Sequence, residues 1–458
     1  MKRTVSILLM SIFWTVAAAR SAEWQPGAPA GADTLRTAAP MSLNDCMRYA
    51  VEHSPAVRRQ DYTNRSYRQD YIESVAALVP SVSGSVGAST SFGRSVDPET
   101  NTYTDVSNFD NSYGVSGQLP LFAGLTGINT VRAAKVMRLQ GAEELQIARD
   151  EVALKTMQAY FDVVYYTGSV QLAREQLETS TAELKKSRKL LELGLRSAAD
   201  VAEVESQQAS DDYLLTQQEN NLALARIALA EAMNYPADRP LEIDTAVPIE
   251  TPAGAAPYDE VVSYALENHP KALSADYGVR RSRLQFSVAR GSLYPSLYVG
   301  GGYSTNFFMS LDNRTLYASF PNQFRDNRGF YVSAQLSIPI FGGLARRTSM
   351  NRARNNWRIA EQQRMETLRA LESEVAQAYQ QMLGYGKEFV QASKKSAAAQ
   401  LAYDAVAGKY AQGLASALDL QTAADKLLEA RSERLRARLQ YIIKVRLVEY
   451  YHGEPLIR

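Results

Sequence analysis

Few side chains in this sequence have the type and spacing that chemistry requires. His53, His269 and His452, its three histidines, lie far apart, with no cysteine partner and no metal-ligand spacing. His53 and His269 stand beside Pro55 and Pro270, where a helix can begin, so capping or solvation is their expected use. Cys46, the one cysteine, cannot close an internal disulfide and reads as a small apolar residue of the first helix. Gly300-Gly301-Gly302 lacks the Lys-Ser/Thr of a phosphate loop and sits inside an alternating segment, where close strand packing explains it. Lys plus Arg (50) balance Asp plus Glu (49), which leaves no basic field for nucleic acid. No enzyme, metal or cofactor is expected. What remains is one octapeptide written twice: Gly194-Leu195-Arg196-Ser197-Ala198-Ala199-Asp200-Val201 recurs as Gly413-Leu414-Ala415-Ser416-Ala417-Leu418-Asp419-Leu420, 219 residues later. Each glycine suits the left-handed cap that ends a helix, each serine the short turn, and each aspartate the positive first turn of the next helix.

The elements that must hold these turns are also duplicated. The shift of 219 carries Leu119-Pro120-Leu121-Phe122 onto Ile338-Pro339-Ile340-Phe341 and Ala159-Tyr160 onto Ala378-Tyr379. Upstream, Tyr49-Ala50-Val51-Glu52 and Pro55 answer to Tyr264-Ala265-Leu266-Glu267 and Pro270 at a shift of 215. A repeat this long is a gene duplication rather than a solenoid period. Residues 121–235 and 340–454 contain none of the 17 prolines, as continuous helix requires when an interior proline costs about 3 kcal/mol. Val170, Leu177, Leu184 and Leu191, answered by Leu215, Leu222 and Leu229, mark a packing seam at sevens.

The pattern predicts a helix over 125–193, roughly 100 Å long at 1.5 Å per residue, with a half-length partner over 200–235. A second short helix over 55–78, with Ser54 as N-cap and Pro55 at its first position, stacks end to end with that partner. The second half repeats this at 270–292, 346–412 and 417–450. The division expected is a signal peptide over 1–22, an extension over 23–41, repeats over 42–235 and 257–451, a proline-rich linker over 236–256 and a tail over 452–458. The signal peptide rests on Lys2 and Arg3 before an apolar run over 5–18 and on Ala17-Ala18-Ala19. No other stretch is apolar for long enough to form a transmembrane helix.

Between the helices lie segments of about ten residues with period two, expected as strands over 80–90, 112–121, 295–307 and 329–340. Phe330, Val332, Ala334 and Leu336 fall on one face and Tyr331, Ser333, Gln335 and Ser337 on the other, the signature of a membrane-barrel strand. The strands of each pair are joined by polar loops over 91–111 and 308–328, with Phe92, Tyr103, Phe109, Phe307, Phe308 and Phe324 expected as an interfacial girdle. Four strands facing lipid leave two open edges, so copies must supply strands to one another; two copies make a filled barrel, three a wet one. The serines at 81, 83, 85, 116, 296, 304, 333 and 337 fit a wet interior.

With its paired Gly-Leu-x-Ser-x-x-Asp-[Val/Leu] turns, the apolar-Pro-apolar-Phe start of each long helix and the twofold layout, the chain resembles the TolC-like outer-membrane efflux protein family from about residue 42 to 451. The resemblance implies a mainly α fold, a homotrimer whose four strands per chain close a 12-stranded β-barrel and whose hairpins form an α-barrel tunnel in the periplasm. It implies an outer-membrane exit duct of a tripartite efflux pump or type I secretion system. A periplasmic adaptor and, through it, an inner-membrane transporter would be its partners, beside outer-membrane lipid. The adaptor would meet the hairpin tips at Gly194, Leu195, Ser197, Gly413, Leu414 and Ser416. Family members line the closed mouth with an aspartate just after the second turn and another one helical turn on. Asp419 matches the first position, but the second is Thr422; Asp200 and Glu203 hold the equivalent places in the first half. Three copies of Asp419 would ring the axis and need protonation, a cation, or partners such as Arg196 of a neighbouring hairpin. A secreted coiled-coil structural protein or adhesin is the alternative; it accounts for the heptads but not for the strands or the twin turns.

Overall fold

The computed structural model describes residues 40–96, 101–245, 256–312 and 318–457. The expected signal peptide and nearly all of the 23–41 extension lie outside these residues, as does the middle of the linker. The first half runs α1 (Leu43–His53), α2 (Pro55–Ala76), β1 (Ser81–Val96), β2 (Tyr103–Ala123), α3 (Thr126–Glu192) and α4 (Ala198–Met233). The second runs α5 (Tyr258–Asn268), α6 (Pro270–Gly291), β3 (Ser296–Ser310), α7 (Phe320–Asp326), β4 (Gly329–Ser337), α8 (Ala345–Ala411) and α9 (Ala417–Tyr451). The two long helices, α3 and α8, are 67 residues each. Every helix pair expected from the proline-free stretches is present, with ends within about two residues of expectation.

The helices form one layer. Next to the strands its order is α2, α3, α6, α8; farther away α4 replaces α2 and α9 replaces α6. Ser54 caps α2 and Pro55 opens it, and His269 does the same service for α6, its Nδ1 accepting from Lys271 N at 3.2 Å. The short helices α1 and α5 pack on the layer at its waist and build two matching cores. Cys46, Met47 and Ala50 of α1 bury against Met157, Tyr160 and Phe161 of α3 and Leu229 and Met233 of α4. Val261 and Ala265 of α5 bury against Leu371, Val375 and Ala378 of α8 and Val448 of α9. Among the described residues no helix is long and apolar enough to cross a membrane.

The strands pair antiparallel in the order β1-β2-β3-β4. Their register gathers serines and glycines of all four strands on one side: Ser83 faces Ser116 across β1 and β2, Ser116 faces Gly302, and Gly300 faces Ser333. The opposite side is mainly apolar and, toward the helices, bare, with Phe330 87% and Val332 82% exposed. Both outer edges, β1 and β4, are unpaired along their length.

Strand limits differ from expectation in three places. The expected loop over 91–111 is mostly strand, because β1 and β2 continue as a two-stranded ribbon to Val96 and Tyr103, tied by Arg94 and Asp105 at 3.4 Å; their serine- and asparagine-rich sequence hides the alternation. β4 stops at Ser337, short of 340, since Pro339 has no amide to give a ladder. The expected loop over 308–328 contains α7, which seats on the apolar side through Phe320 and Phe324. Phe324 and Tyr113 ring centres lie 5.3 Å apart, as do Phe307 and Phe320. Part of the expected aromatic girdle is therefore the seat of this helix. Beyond Ser304 no β4 residue pairs with β3, and the Gln323 side chain takes that place: its Oε1 accepts from Phe308 N at 3.0 Å and its Nε2 donates to Phe308 O at 2.9 Å. The amide of Gln323 thus imitates one peptide unit and closes an otherwise open edge.

The strand-to-helix junctions require two glycines in contact. Gly124 has φ +60°, and a Cβ on it would fall 2.1 Å from Gly291 O; one on Gly291 would fall 2.6 Å from Gly124 O. Neither backbone can yield without moving a strand end, so Gly291→Ala should sharply lower the yield of folded protein and the melting temperature of what remains. Near-wild-type melting of that variant would show that the junction is not tightly packed.

Candidate functional site at the hairpin tips

Both hairpins turn in the same way. α3 ends with Gly194 at φ +70° and α8 with Gly413 at φ +77°. Gly194 N bonds Leu191 O at 2.9 Å and Leu195 N bonds Leu190 O at 2.8 Å; Gly413 N bonds Tyr410 O at 3.0 Å and Leu414 N bonds Lys409 O at 2.9 Å. This pair of bonds satisfies the last carbonyls of each helix and needs the left-handed residue that glycine supplies. Ser197 and Ser416 then cap α4 and α9. Asp200 N and Asp419 N each donate to the serine hydroxyl at 3.1 Å, while the carboxylates accept from Ser197 N at 3.2 Å and Ser416 N at 2.9 Å. These reciprocal bonds explain why Ser and Asp recur at that spacing.

Asp419 is therefore a helix cap within its own chain, and bonds from Ser416 hold its carboxyl below the usual carboxylate range. Asp200 is held low by Ser197 in the same way. Thr422 is turned to its own helix, its hydroxyl donating to Leu418 O at 2.8 Å. Arg196, expected as the counter-ion of a neighbouring Asp419, is committed elsewhere. Its guanidinium donates to Ser187 Oγ and to the Tyr410 hydroxyl, and lies 3.6 Å from Glu183 Oε1. Tyr410 in turn donates to Glu183. Desolvation works against the Arg196 charge, but Tyr410, Glu183 and Asp200 outweigh it and raise its pKa. Lys186 and Arg196 lie over the Tyr410 ring at 5.1 and 5.3 Å. One residue from the first turn thus ties α3 to the last turn of α8. Glu183 and Glu203, with Tyr410, line a half-open cavity of about 50 Å³ to which all four helices of the hairpins contribute.

Sequence reasoning missed Glu183 and Tyr410, because the contact joins residues 227 apart that no local pattern connects. It also missed a second tie about two turns away. Gln207 Nε2 donates to Asp211 Oδ1 at 2.9 Å and to Asp425 Oδ1 at 3.4 Å, and Gln421 donates to Gln207. Burial raises the Asp211 pKa against the hydrogen bonds of Ser180, Gln207 and Gln176, and burial plus Asp211 raises that of Asp425. A carboxyl whose folded pKa exceeds its unfolded value penalises the folded contact once ionised, and the penalty lifts as pH falls through the folded pKa. Lowering pH from neutral toward the ordinary carboxylate range should therefore tighten the contact between the hairpins, read as slower amide hydrogen exchange near the tips. The Asp211→Asn, Asp425→Asn variant should lose that response. A pH response identical in wild type and variant would remove these groups from the tip equilibrium.

The histidines stay apart. His53 Nδ1 lies 3.0 Å from Tyr49 O, and His269 is buried as the α6 cap, burial pushing its pKa down to about 4. Among the described residues no three His, Cys, Asp or Glu side chains converge as a metal site.

A duplicated chain of this kind, with a one-sided membrane sheet continued by paired helical hairpins, defines a class of outer-membrane channel. The family described as outer membrane efflux protein matches residues 47–235 and 261–450, one stretch for each half. The chain belongs to that family, whose members are outer-membrane efflux and secretion channels. It is similar to Protein CyaE of Bordetella pertussis (24% identical over 336 residues) and spans 72% of its own length and 65% of that protein's. It is also similar to the alkaline protease secretion protein AprF of Pseudomonas aeruginosa, at 23% identity over 90% of this chain and 84% of that one. The solved structure of the transmembrane channel CusC superposes with a TM-score of 0.76 at 16% identity, covering 92% of this chain and 96% of CusC.

Proposed function

We propose that three copies of this chain close into one exit duct, a 12-stranded barrel in the outer membrane continued by a helical tunnel in the periplasm. The duct passes small molecules from a tripartite pump or polypeptide from a type I system, with no catalysis of its own. The observation that carries this reading is the sheet: one mainly apolar face left largely bare, one face rich in serine and glycine, and two unpaired edges. Unpaired backbone in hydrocarbon costs several kcal/mol per group, so the edges must meet other copies. Twelve strands leave a water-filled lumen for the serine face, whereas eight are nearly filled by side chains. The flanks of the helical layer agree with this closure, since α4 exposes Tyr213, Leu224 and Ile227 on one side and α8 exposes Ile359, Val390 and Leu401.

The tips receive the periplasmic adaptor, which links the duct to an inner-membrane transporter. Leu195 and Leu414, 71% and 72% exposed at the ends of identical turns, are the apolar contacts offered. Asp200, Glu203, Asp419 and Thr422 stand in the first turns beside them, and the Glu183–Arg196–Tyr410 tie holds the mouth closed. Leu195→Glu with Leu414→Glu is expected to abolish export while leaving a cross-linkable trimer in the outer membrane. Full export by that double variant would take the adaptor contact away from the tips, and a stable monomer in detergent would overturn the duct itself.

A further inference from the structure

Charge along the helices is far from even. Residues 126–140 of α3 carry three basic side chains, 277–291 of α6 four and 345–360 of α8 five, with no Asp or Glu in any of these stretches. The whole chain is near neutral, at +1, so positive charge is gathered where α3, α6 and α8 adjoin the sheet, while α2 beside them balances Arg65 and Arg68 with Asp70 and Glu73.

Part of this charge is built into an ordered stack. Phe286 of α6 and Trp357 of α8 are stacked with centroids 6.0 Å apart. Arg283 lies over Trp357 at 5.6 Å, and Arg354 and Arg290 lie over Phe286 at 5.5 and 6.0 Å. Arg283, Arg290 and Arg354 remain exposed. The stack faces a definite side. Trp357 precedes Val375 by eighteen residues, five full helical turns, and Val375 is buried against α5. Lys135 precedes Ala153 by the same interval, and Ala153 is in the core built by α1. The basic face is thus the face that carries α1 and α5. In the closed duct proposed above, which this inference presupposes, those two helices lie outside the lumen, since inside they would fill it.

The apolar face of the sheet runs unbroken into this region. Ile340 and Phe341 are 94% and 82% exposed, and Leu121, Phe122, Leu125 and Leu344 are exposed beside them. Arg290 is in the last turn of α6, and Arg283 and Arg354 lie about 12–14 Å along their helices from the ends nearest the strands, at 1.5 Å per residue. A headgroup layer is roughly 5–8 Å deep and charge is felt for about 8 Å beyond it at physiological salt, so these guanidinium groups fall within reach of it.

We propose that this arginine–aromatic collar binds the anionic phospholipid headgroups of the leaflet that faces the helices, and so fixes the depth and tilt of the duct. Packing against aromatic rings restricts the guanidinium groups in advance, which lowers the entropy lost when they bind phosphate. A collar that instead lined the lumen would serve anionic cargo, and the two differ in what they change.

The test uses the full-length protein purified in detergent and mixed with equal amounts of phosphatidylglycerol and phosphatidylcholine, followed by native mass spectrometry of the retained lipid. Wild type should keep phosphatidylglycerol over phosphatidylcholine by about tenfold, a preference that falls as salt rises. Arg283→Gln, Arg290→Gln, Arg354→Gln together should reduce the preference to within about twofold. The same charge change placed elsewhere, at Arg226, Arg434 and Arg436, should leave it intact. Equal retention of the two lipids by wild type, or an unchanged preference in the collar variant, would overturn the proposal. So would a collar variant whose ion selectivity in planar bilayers changes while its lipid preference does not. The same spectra report the number of chains, so a monomer would count against the duct rather than against the collar.

Discussion

Arg196→Ala is expected to raise the open probability of the channel in planar bilayers by about ten- to a hundredfold. The side chains of Arg196 and Glu183 are only 15% and 19% exposed, and Tyr410 is buried against them. Removing one partner of a fully buried pair costs about 3–5 kcal/mol. Water still reaches this one, so about 1–3 kcal/mol is the proper scale, and each 1.4 kcal/mol shifts a two-state equilibrium tenfold. Arg196→Lys keeps the charge but not the fork that reaches Ser187 and Tyr410 together, and should open the channel partway. Tyr410→Phe keeps the ring beneath Arg196 and loses both hydroxyl bonds, giving a similar intermediate. The melting temperature should hardly move, because the cores that unfold cooperatively lie at the waist. Asp419→Ala should remove a helix cap worth about 1 kcal/mol and leave conductance near wild type. The reverse pattern, with Asp419→Ala opening the channel and the Arg196 variants silent, would move the gate to the ring of aspartates.

Val332→Arg should prevent assembly. Val332 sits on the bare side of β4 opposite Gly301, near the middle of the strand. An arginine at mid-depth on a lipid-facing strand costs about 2–4 kcal/mol, and a trimer would bear that cost three times. Semi-native gels of outer-membrane fractions are expected to show no trimer. Ser333→Arg, one residue along and on the opposite side, should assemble and instead shift ion selectivity. If both variants assemble equally well, the two faces of the sheet have been assigned to the wrong environments.

The helical half of the fold was legible in the sequence because its constraints are local and doubled. Proline exclusion set the length of α3 and α8, glycine set their ends, and the Ser-x-x-Asp spacing set the start of α4 and α9. The apolar alternation of β4 was equally readable. The ribbon beyond Thr90 was not, since serine and asparagine on both faces leave no period to detect. Nor was α7, whose order comes from tertiary contacts of Phe320, Phe324 and Gln323 rather than from its own seven residues. At the tips the caps followed from spacing, but the partner of Arg196 did not: Glu183 and Tyr410 are brought to it by how two hairpins lie together, which a linear pattern does not encode.

The equal length of α3 and α8 also limits how such a chain can evolve. One residue inserted into either would turn everything beyond it by about 100° and push that tip about 1.5 Å past its twin. Glu183 would rotate away from Tyr410, and two turns that now end level would become steps. A length change is tolerable only when both halves take it together and in whole turns or heptads, so that the seams keep their faces. The duplicated gene thus carries two matched rulers, and insertions and deletions among relatives should appear in pairs at corresponding positions of the two repeats.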